Sequence, residues 1–275
     1  MIIVDFHAVS MATMFSQKQE MEENMVRHLI LNSLRSFNVK YKNKYGDMVI
    51  ACDQSSWRRD YFPYYKAKRR DGRKSDDKDW NKIFNTISKI RDEIIENLPW
   101  KVVNVAGVEA DDIIGTLCEN SQEFGKNEPI MIISGDKDFL QLQKYSNVHQ
   151  FSPITKKELV EKDPINYLFE HICRGDSSDG VPNILSPDNT FVESLRQTPI
   201  TQKRLKQWKS GEKMEGEILR NFQRNKKLID LEETPEDKKE EILNTFENAK
   251  TKNNVLNYFI QNKLRNLIEC AGEFK

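Results

Sequence analysis

Carboxylates follow several short apolar segments of this sequence, where they could bind a metal ion. Asp5 and Asp53 each come directly after an apolar run typical of a buried strand, and Asp136 and Asp138 follow another such run after Ser134-Gly135. Because the carboxyl ends of parallel strands form one edge of a sheet, we expect these side chains to converge. Carboxylates gathered without a cation repel one another, so the pattern indicates a divalent-metal site.

Two further groups of acids lie near predicted helix ends. They are Glu109, Asp111 and Asp112, and then Asp176 and Asp179. The first three fall in the first turn of one predicted helix, and the last two follow a helix that ends at Gly175. A single Asp in such a place is usually a turn residue or a helix cap. The inference of a metal site therefore depends on the whole set.

The ligand types narrow the choice of metal. The four histidines and four cysteines show no metal-binding spacing. Oxygen ligands alone favour Mg²⁺, with Mn²⁺ as a substitute, over zinc. No phosphate-binding glycine loop and no nucleophile elbow is present. What remains suits two-metal phosphodiester hydrolysis, in which ions about 4 Å apart lower the pKa of a water and hold the attacking and leaving oxygens.

Two basic tracts point to nucleic acid. Residues 57–74 carry eight basic and two acidic residues, interleaved with aromatic ones. Since cations bind phosphates and rings stack on bases, we favour nucleic-acid contact over an ordinary solvated helix face for this tract. Residues 197–229 carry nine basic and three acidic residues. For this second tract the two interpretations are equally supported.

The composition limits the class of protein. The chain has 275 residues, with 43 basic and 43 acidic ones. No apolar run approaches the ~20 residues of a membrane span, and the first residues do not resemble a signal peptide. The cysteines lie far apart in apolar surroundings. We therefore expect a reduced, cytoplasmic, soluble protein that does not contact a membrane.

Hydrophobic periodicity predicts an α/β fold: a central, mainly parallel sheet flanked by helices, followed by a helical C-terminal region. The predicted strands are 1–5, 48–52, 101–105, 130–133 and 148–151, and the clearest helices are 24–43, 80–98, 109–122 and the one that ends at Gly175. Residues 57–79 have no clean period and are predicted to form an exposed, mobile connection. Residues 183–190 are predicted to be a loop.

The order of the acidic motifs resembles the structure-specific 5′-nuclease (flap endonuclease) family. The motifs are Asp5, Asp53, Glu109-Ala110-Asp111-Asp112, Ser134-Gly135-Asp136-Lys137-Asp138-Phe139 and Gly175-Asp176-Ser177-Ser178-Asp179. Residues 64–69 resemble the segment at the base of the family's helical arch. Residues 25–33 and 57–60 resemble the phage RNase H branch. The resemblance covers about residues 1–180.

The resemblance implies roles for individual residues. Asp5, Asp53, Glu109 and Asp111 or Asp112 would form one metal site, and Asp136, Asp138, Asp176 and Asp179 a second. Lys66 and Arg69 would hold the scissile phosphate, and Tyr65 would offer its ring to a base. Residues of about 57–95 would form the arch over the single-stranded 5′ end. Further nucleic-acid contacts are expected from Arg58, Arg59, Lys68, Arg70, Lys203, Arg204 and Lys206.

The implied function is Mg²⁺-dependent 5′→3′ exonuclease and flap endonuclease action on RNA/DNA hybrids and on duplex or flap DNA. It would remove RNA primers in phage replication, as a monomer working with a single-stranded-DNA-binding protein and a sliding clamp. Residues 1–152 would be the nuclease core with its arch. Residues 153–275 would complete the metal site and contact duplex.

One departure from the family concerns the segment after Asp179. Asp179-Gly180 stands where the family has Asp-Asn, and no second glycine hairpin follows. Such a hairpin holds duplex backbone through main-chain amides in the wider family. The basic residues within 203–227 are a candidate substitute for it.

Three alternatives stay open at this point. A PIN-like ribonuclease would share the sheet and the acids but cut single-stranded RNA. A non-catalytic nucleic-acid-binding protein would use the acids for structural Mg²⁺. A phosphatase of the haloacid type would need a second Asp two residues after Asp5, where His7 stands instead.

Overall fold

The computed structural model describes residues 1–15, 22–74, 76 and 78–275, without the side chains of Arg70, Asp71, Lys74 and Phe124. These residues form two compact units, neither of which is continuous in sequence. The first unit comprises Met1–Ser55, Asp79–Val160 and Glu236–Lys275, and the second comprises Ser56–Lys78 and Glu161–Pro235. None of the described helices has both the length and the apolar composition needed to cross a membrane.

The described strands and helices are numbered along the chain. The strands are β1 (Ile2–Asp5), β2 (Met48–Cys52), β3 (Lys101–Asn104), β4 (Ile130–Ile133), β5 (Val148–Ser152) and β6 (Lys157–Leu159). The helices are α1 (Phe6–Phe15), α2 (Glu23–Tyr45), α3 (Arg58–Tyr61), α4 (Ala67–Lys74), α5 (Trp80–Asn97), α6 (Ala110–Gln122), α7 (Pro164–Arg174), α8 (Gln202–Lys209), α9 (Gly216–Ile229), α10 (Glu236–Asn248), α11 (Val255–Gln261) and α12 (Arg265–Ile268). Short 3₁₀ helices include Lys137–Lys144.

The first unit is built on a six-stranded sheet of order β3-β2-β1-β4-β5-β6. Strands β1 to β5 are parallel, and β6 is antiparallel to β5. Strands β2 and β3 are added on one side of β1, and strands β4 to β6 on its other side. The order therefore reverses between β1 and β4, and a crevice at their carboxyl ends is the expected ligand site.

Strand β1 lies at the centre of the core. Ile2, Ile3 and Val4 are fully buried, as expected for a strand with neighbours on both sides. One continuous apolar cluster includes side chains of β1, β2, β4, α2 and α5, and it extends to Phe274 near the C-terminus. The C-terminal helices α11 and α12 thus help to enclose the sheet.

The second unit is helical, and two apolar clusters hold it together. One includes Phe62, Tyr65 and Leu228, and the other includes Leu205 and Trp208. Helices α7 and α9 pack against each other in this unit. The unit therefore contains both the first basic tract, residues 57–74, and the second, residues 197–229.

The sequence-based expectations agree with this fold in most elements. All five predicted strands and the four clearest helices are present, and residues 183–190 form no helix or strand. The predicted division after residue 152 follows the order of the chain. The structure instead groups residues 56–78 with the second unit and 236–275 with the first, because those segments pack there.

One local prediction needs correction, and two elements of the structure were not predicted. The predicted exposed connection at 57–79 contains α3 and α4, and it buries Arg58, Phe62 and Tyr65. Helix α1 was not predicted, because its residues are apolar around most of its circumference. The short strand β6 also escaped prediction, since its three residues are largely exposed.

A buried ionic network joins α2, α5 and α11 in the first unit. The Arg27 side chain is 2% exposed, and its guanidinium donates to Glu93 at 2.6 and 2.7 Å. Glu23 and Asn24 accept its remaining hydrogen bonds. The Tyr258 hydroxyl donates to the same Glu93 carboxylate at 2.6 Å. Burial together with the hydrogen bond to Glu93 raises the pKa of Tyr258.

We expect Glu93→Ala to lower the free energy of unfolding by about 3–5 kcal/mol, because it leaves a buried guanidinium without its main counterion. Urea denaturation followed by circular dichroism measures this loss. Glu23→Ala is the matched control: the Glu23 side chain is 44% exposed, so its removal is expected to cost less than about 1 kcal/mol. Similar losses in the two variants would contradict the assigned role of the network.

Candidate functional site

Asp5 lies where the sheet order reverses. It ends β1, is 6% exposed, and is register partner to Ala51 of β2. Its Oδ1 accepts the backbone N–H of Ala8 at 3.0 Å, so Asp5 also caps α1. Its Oδ2 accepts the hydroxyl of Ser134, which follows β4, at 2.9 Å. The carboxylate is thus held between the first turn of α1 and the segment that leaves β4.

The electrostatic surroundings of Asp5 are unfavourable to a charged carboxylate. Burial, and then the negative charge of Asp53, raise the pKa of Asp5 to about 7. Asp136 adds a smaller repulsion, while the hydrogen bonds from Ala8 and Ser134 act in the opposite direction. The donors to Asp5 are both neutral. A divalent cation beside these carboxylates would offset this repulsion. The surroundings of Asp5 therefore fit a metal site.

The N-terminus of α6 presents the next acids. The Asp53 carboxylate accepts the N–H of Ala110 at 2.8 Å, the first backbone group of the helix. The fully buried Asp112 accepts the N–H of Glu109 at 3.1 Å. Asp112 therefore fixes the start of α6, whereas Asp111 is half-buried. The choice between Asp111 and Asp112 as a metal ligand stays a prediction.

The segment after β4 is held by side chains. Ser134 Oγ accepts the N–H of Asp136 at 3.1 Å, and Asp136 Oδ1 accepts the N–H of Asp138 at 3.0 Å. The buried Gln150 of β5 donates to the carbonyl oxygens of Ser134 and Asp136. Asp136 is itself exposed. One hydroxyl therefore connects the carboxylate of Asp5 with the backbone that carries Asp136.

In the second unit, Asp179 is surrounded by donors. Its Oδ2 accepts the hydroxyl of Tyr65 at 2.9 Å and lies 3.4 Å from Lys66 Nζ, and its Oδ1 pairs with Arg69. Burial raises the pKa of Asp179, and the two cations oppose that shift. Asp176 accepts the N–H groups of Ser178 and Asp179, and its Oδ2 is 4.0 Å from His171 Nε2.

Glycine is required at two places in this loop. Gly175 ends α7 with φ +68°, and a Cβ there would lie 2.4 Å from the carbonyl oxygen of Val181. Gly180 has φ +75°, and a Cβ there would lie 3.0 Å from the carbonyl oxygen of Tyr64. The departure from the family at Gly180 thus coincides with a close backbone contact.

Two residues expected to meet nucleic acid are buried instead. Tyr65 is 4% exposed within an apolar cluster, so its ring cannot stack on a base. Arg58 is 2% exposed and donates from Nε to the carbonyl oxygen of Leu228 at 2.9 Å. The alternation of aromatic and charged residues in this tract suggested that both side chains lie at the surface, but both are buried. The side chain of Arg70 lies outside the described part of the structure.

The other expected contacts are at the surface of the second unit. They are Arg59, Lys68, Arg69, Lys203, Arg204 and Lys206. Later cations of the second tract are neutralised: Arg220 and Arg224 pair with Asp188, and Lys226 and Lys227 with Glu233. The exposed basic surface of that tract is therefore concentrated on α8.

Sequence reasoning missed three polar residues near the acids. Ser134 and Gln150 act through hydrogen bonds that only the fold creates. His7 Nδ1 lies 3.9 Å from Asp53 Oδ2, and its ring contacts Phe84 at 5.4 Å between centroids. The one available signal for His7 was its position two residues after Asp5.

The chain belongs to the 5′-3′ exonuclease family, because the model of its N-terminal resolvase-like domain matches residues 1–169. Residues 164–274 match the model described as T4 RNase H, C terminal. The chain is 31% identical to Ribonuclease H of Enterobacteria phage T4, over 99% of this chain and 95% of the relative. It is 24% identical to the Exonuclease of Escherichia phage T7, over 72% of this chain and 64% of the relative. The protein is a nuclease of the phage RNase H type.

Solved structures share the fold. The 5′-exonuclease of T5 with bound zinc matches with a TM-score of 0.60 and 15% identity, over 100% of this chain and 98% of that one. A complex of the T5 D15 flap endonuclease with DNA and metal ions matches with a TM-score of 0.60, at 16% identity, over 99% and 98% of the two chains.

We expect Asp5→Asn to stabilise the metal-free protein at pH 8. The folded pKa of Asp5, about 7, lies above its ordinary value of 3.8. Between these values the folded state binds a proton that the unfolded chain releases, so stability falls as the pH rises through this window and the loss is complete above it. At about 1.4 kcal/mol per pKa unit, the Asn variant is expected to gain about 2–4 kcal/mol at pH 8 and nothing near pH 4.

The measurement is urea denaturation in chelator at several pH values, because the difference between variant and wild type isolates Asp5 from other titrating groups. Parallel pH curves for the two proteins would contradict the assigned electrostatic role of Asp5.

Proposed function

We propose that this nuclease is a Mg²⁺-dependent 5′→3′ exonuclease and flap endonuclease acting on RNA/DNA hybrids and on duplex or flap DNA. Its task would be the removal of RNA primers in phage DNA replication, in the cytoplasm of the infected host. The relatives named ribonuclease H and exonuclease support this substrate class. The observation that carries the proposal is the buried carboxylate of Asp5, which is repelled by the carboxylates of Asp53 and Asp136 at the point where the strand order of the sheet reverses.

The donor set fits divalent metal. Asp5, Asp53, Glu109, Asp111 and Asp136 with Asp138 are the residues that would hold it, and all are oxygen donors. Bound divalent ions supply activation of water and stabilise charge that develops at the scissile phosphate. Asp176 and Asp179 are the remaining acids that the resemblance assigns to the second site, and their roles stay predictions.

The protein's own groups would orient the acids and the substrate. Ser134 holds Asp5 and the backbone of Asp136 in one arrangement, and Asp112 fixes the turn that presents Glu109. The Arg69 side chain is 44% exposed, so it is accessible to a phosphate. Preorganised cations at that position would stabilise a pentavalent phosphate without further rearrangement.

Helix α8 is the surface that we propose for duplex contact. Lys203, Arg204 and Lys206 are exposed on it, and Thr201 caps its N-terminus. The segment before α8 carries no second glycine hairpin. It is held instead by side-chain amides, because Asn183 bonds the carbonyl oxygen of Thr198 and Asn221 bonds that of Ile184. The single-stranded-DNA-binding protein and sliding clamp implied by the resemblance stay predictions without an assigned contact.

The deciding experiment uses a 5′-labelled RNA primer annealed to DNA, with Mg²⁺, with Mn²⁺ and with chelator. We expect short 5′ products only in the presence of metal. A panel of 5′-flap DNA and single-stranded RNA accompanies it. Preferential cleavage of the single-stranded RNA would favour a PIN-like ribonuclease, and binding without cleavage would contradict the proposal.

Asp136→Asn and Asp53→Asn are expected to lower cleavage at least about 100-fold, since losing a metal ligand costs more than losing a partner of one. Folding should be intact, as judged by circular dichroism and thermal melting. Asp47→Asn is the matched control: Asp47 precedes β2 at the opposite edge of the sheet, and its side chain is 86% exposed. Full activity in either site variant would refute the metal-site assignment.

Replacing Lys203, Arg204 and Lys206 together by Gln is expected to weaken duplex binding and to lower the slope of log affinity against log salt by about 2–3, since each phosphate contact contributes about 0.9. Fluorescence anisotropy over a salt series measures this slope. The control replaces Lys226 and Lys227, which already pair with Glu233, and should leave it unchanged. An unchanged slope in the triple variant would exclude α8.

A further inference from the structure

The carboxylate of Asp179 differs from that of Asp5 in the charge of its partners. Asp5 receives hydrogen bonds from neutral groups and faces other carboxylates. Asp179 receives the Tyr65 hydroxyl and faces the ammonium of Lys66 and the guanidinium of Arg69. Two cations therefore already face its charge within the second unit. A divalent ion would have to compete with two cations for the same two oxygens.

The backbone reinforces this arrangement. The N–H of Lys66 donates to the carbonyl oxygen of Asp179 at 2.7 Å, and Arg69 Nε donates to that of Ser178 at 3.2 Å. Lys66 itself has φ +53°, an unusual conformation for a residue with a side chain. Because Gly180 has no Cβ, the loop that contains Asp179 can lie close to the carbonyl oxygen of Tyr64, beside Lys66.

We propose that Asp179 is a positioning residue that orders Lys66 and Arg69 for the substrate phosphate, and that it does not bind metal. The inference rests on the proposed function, because Lys66 and Arg69 are the cations assigned to the phosphate. A buried anion between two long cationic side chains reduces the conformational freedom that they would lose on binding. Arg69 has five N–H donors, and its contacts with Asp179 and Ser178 leave others for a phosphate.

The first experiment titrates Mn²⁺ into the protein by calorimetry, without substrate. We expect Asp179→Asn to keep the wild-type number of bound ions, with affinity within about twofold. Asp53→Asn is the positive control, and at least about tenfold weaker binding is expected there. Loss of one ion, or tenfold weaker binding, in Asp179→Asn would overturn the proposal.

The second experiment measures binding of a 5′-flap duplex in chelator, where neither metal nor cleavage is needed. We expect Asp179→Asn to bind about tenfold more weakly than wild type, because the two cations lose their order. Removing a negative charge would by itself strengthen binding to DNA, so a weaker complex identifies the ordering effect. In an Arg69→Gln background the same substitution should change affinity less than about threefold, since contacting residues couple.

Equal or tighter duplex binding by Asp179→Asn, or equal effects of the substitution with and without Arg69, would overturn the proposal. If Asp179→Asn does not fold, Asp179→Glu takes its place, since it keeps the charge but shifts it by one methylene. The same unchanged Mn²⁺ binding and a smaller loss of duplex affinity are then expected. Failure of the proposed function itself would show differently, as wild-type protein that binds the duplex but cuts nothing in Mg²⁺.

Discussion

The arrangement of the first unit depends on one ionisable carboxylate at the end of a buried central strand, β1. Asp5 caps α1, accepts the hydroxyl of Ser134 and faces Asp53 and Asp136. An apolar or amide residue at this position would make the folded state more stable, because no charge would then be buried beside like charges. A buried carboxylate that costs stability is typical of a site that binds a ligand.

The two units use opposite electrostatic designs. In the first, Asp5, Asp53 and Asp136 lie at the carboxyl edge of the sheet, neutral donors fix the direction of Asp5, and a metal ion is the compensating charge that we propose. In the second, the acid Asp179 faces Lys66 and Arg69, and Asp188 and Glu233 neutralise most of the later cations on α9. A nuclease needs both kinds of surface, since its substrate carries negative charge and its chemistry needs positive charge beside it.

The sequence predicted strands β1 to β5, because most of them are short apolar runs followed by a polar group, and that signal is local. It also predicted which acids lie near strand ends, since Asp5 and Asp53 follow those runs directly and Asp136 follows one after two residues. It could not reveal the hydrogen bonds that hold these acids, because no local pattern indicates such bonds. The Ser134 hydroxyl bonds Asp5, 129 residues away, and the Gln150 side chain bonds backbone 14 and 16 residues away. The burial of Arg58 and Tyr65 was hidden for a related reason. Arg58 lies in a helix of four residues and Tyr65 in the turn that follows it, so neither segment is long enough to show a period. Charged neighbours also masked the two buried side chains.

The central position of β1 in the sheet has a consequence for folding during synthesis on the ribosome. Strand β1 is made first, but its partner β4 comes at residues 130–133, and the core is closed by Val255, Phe259 and Phe274. At about 5–20 residues per second, translation separates these parts by many seconds. The acidic edge of the sheet therefore cannot assemble until β4 and the residues that follow it have been made. A shorter ribosome-bound fragment would present an incomplete set of acids beside the messenger RNA that encodes it.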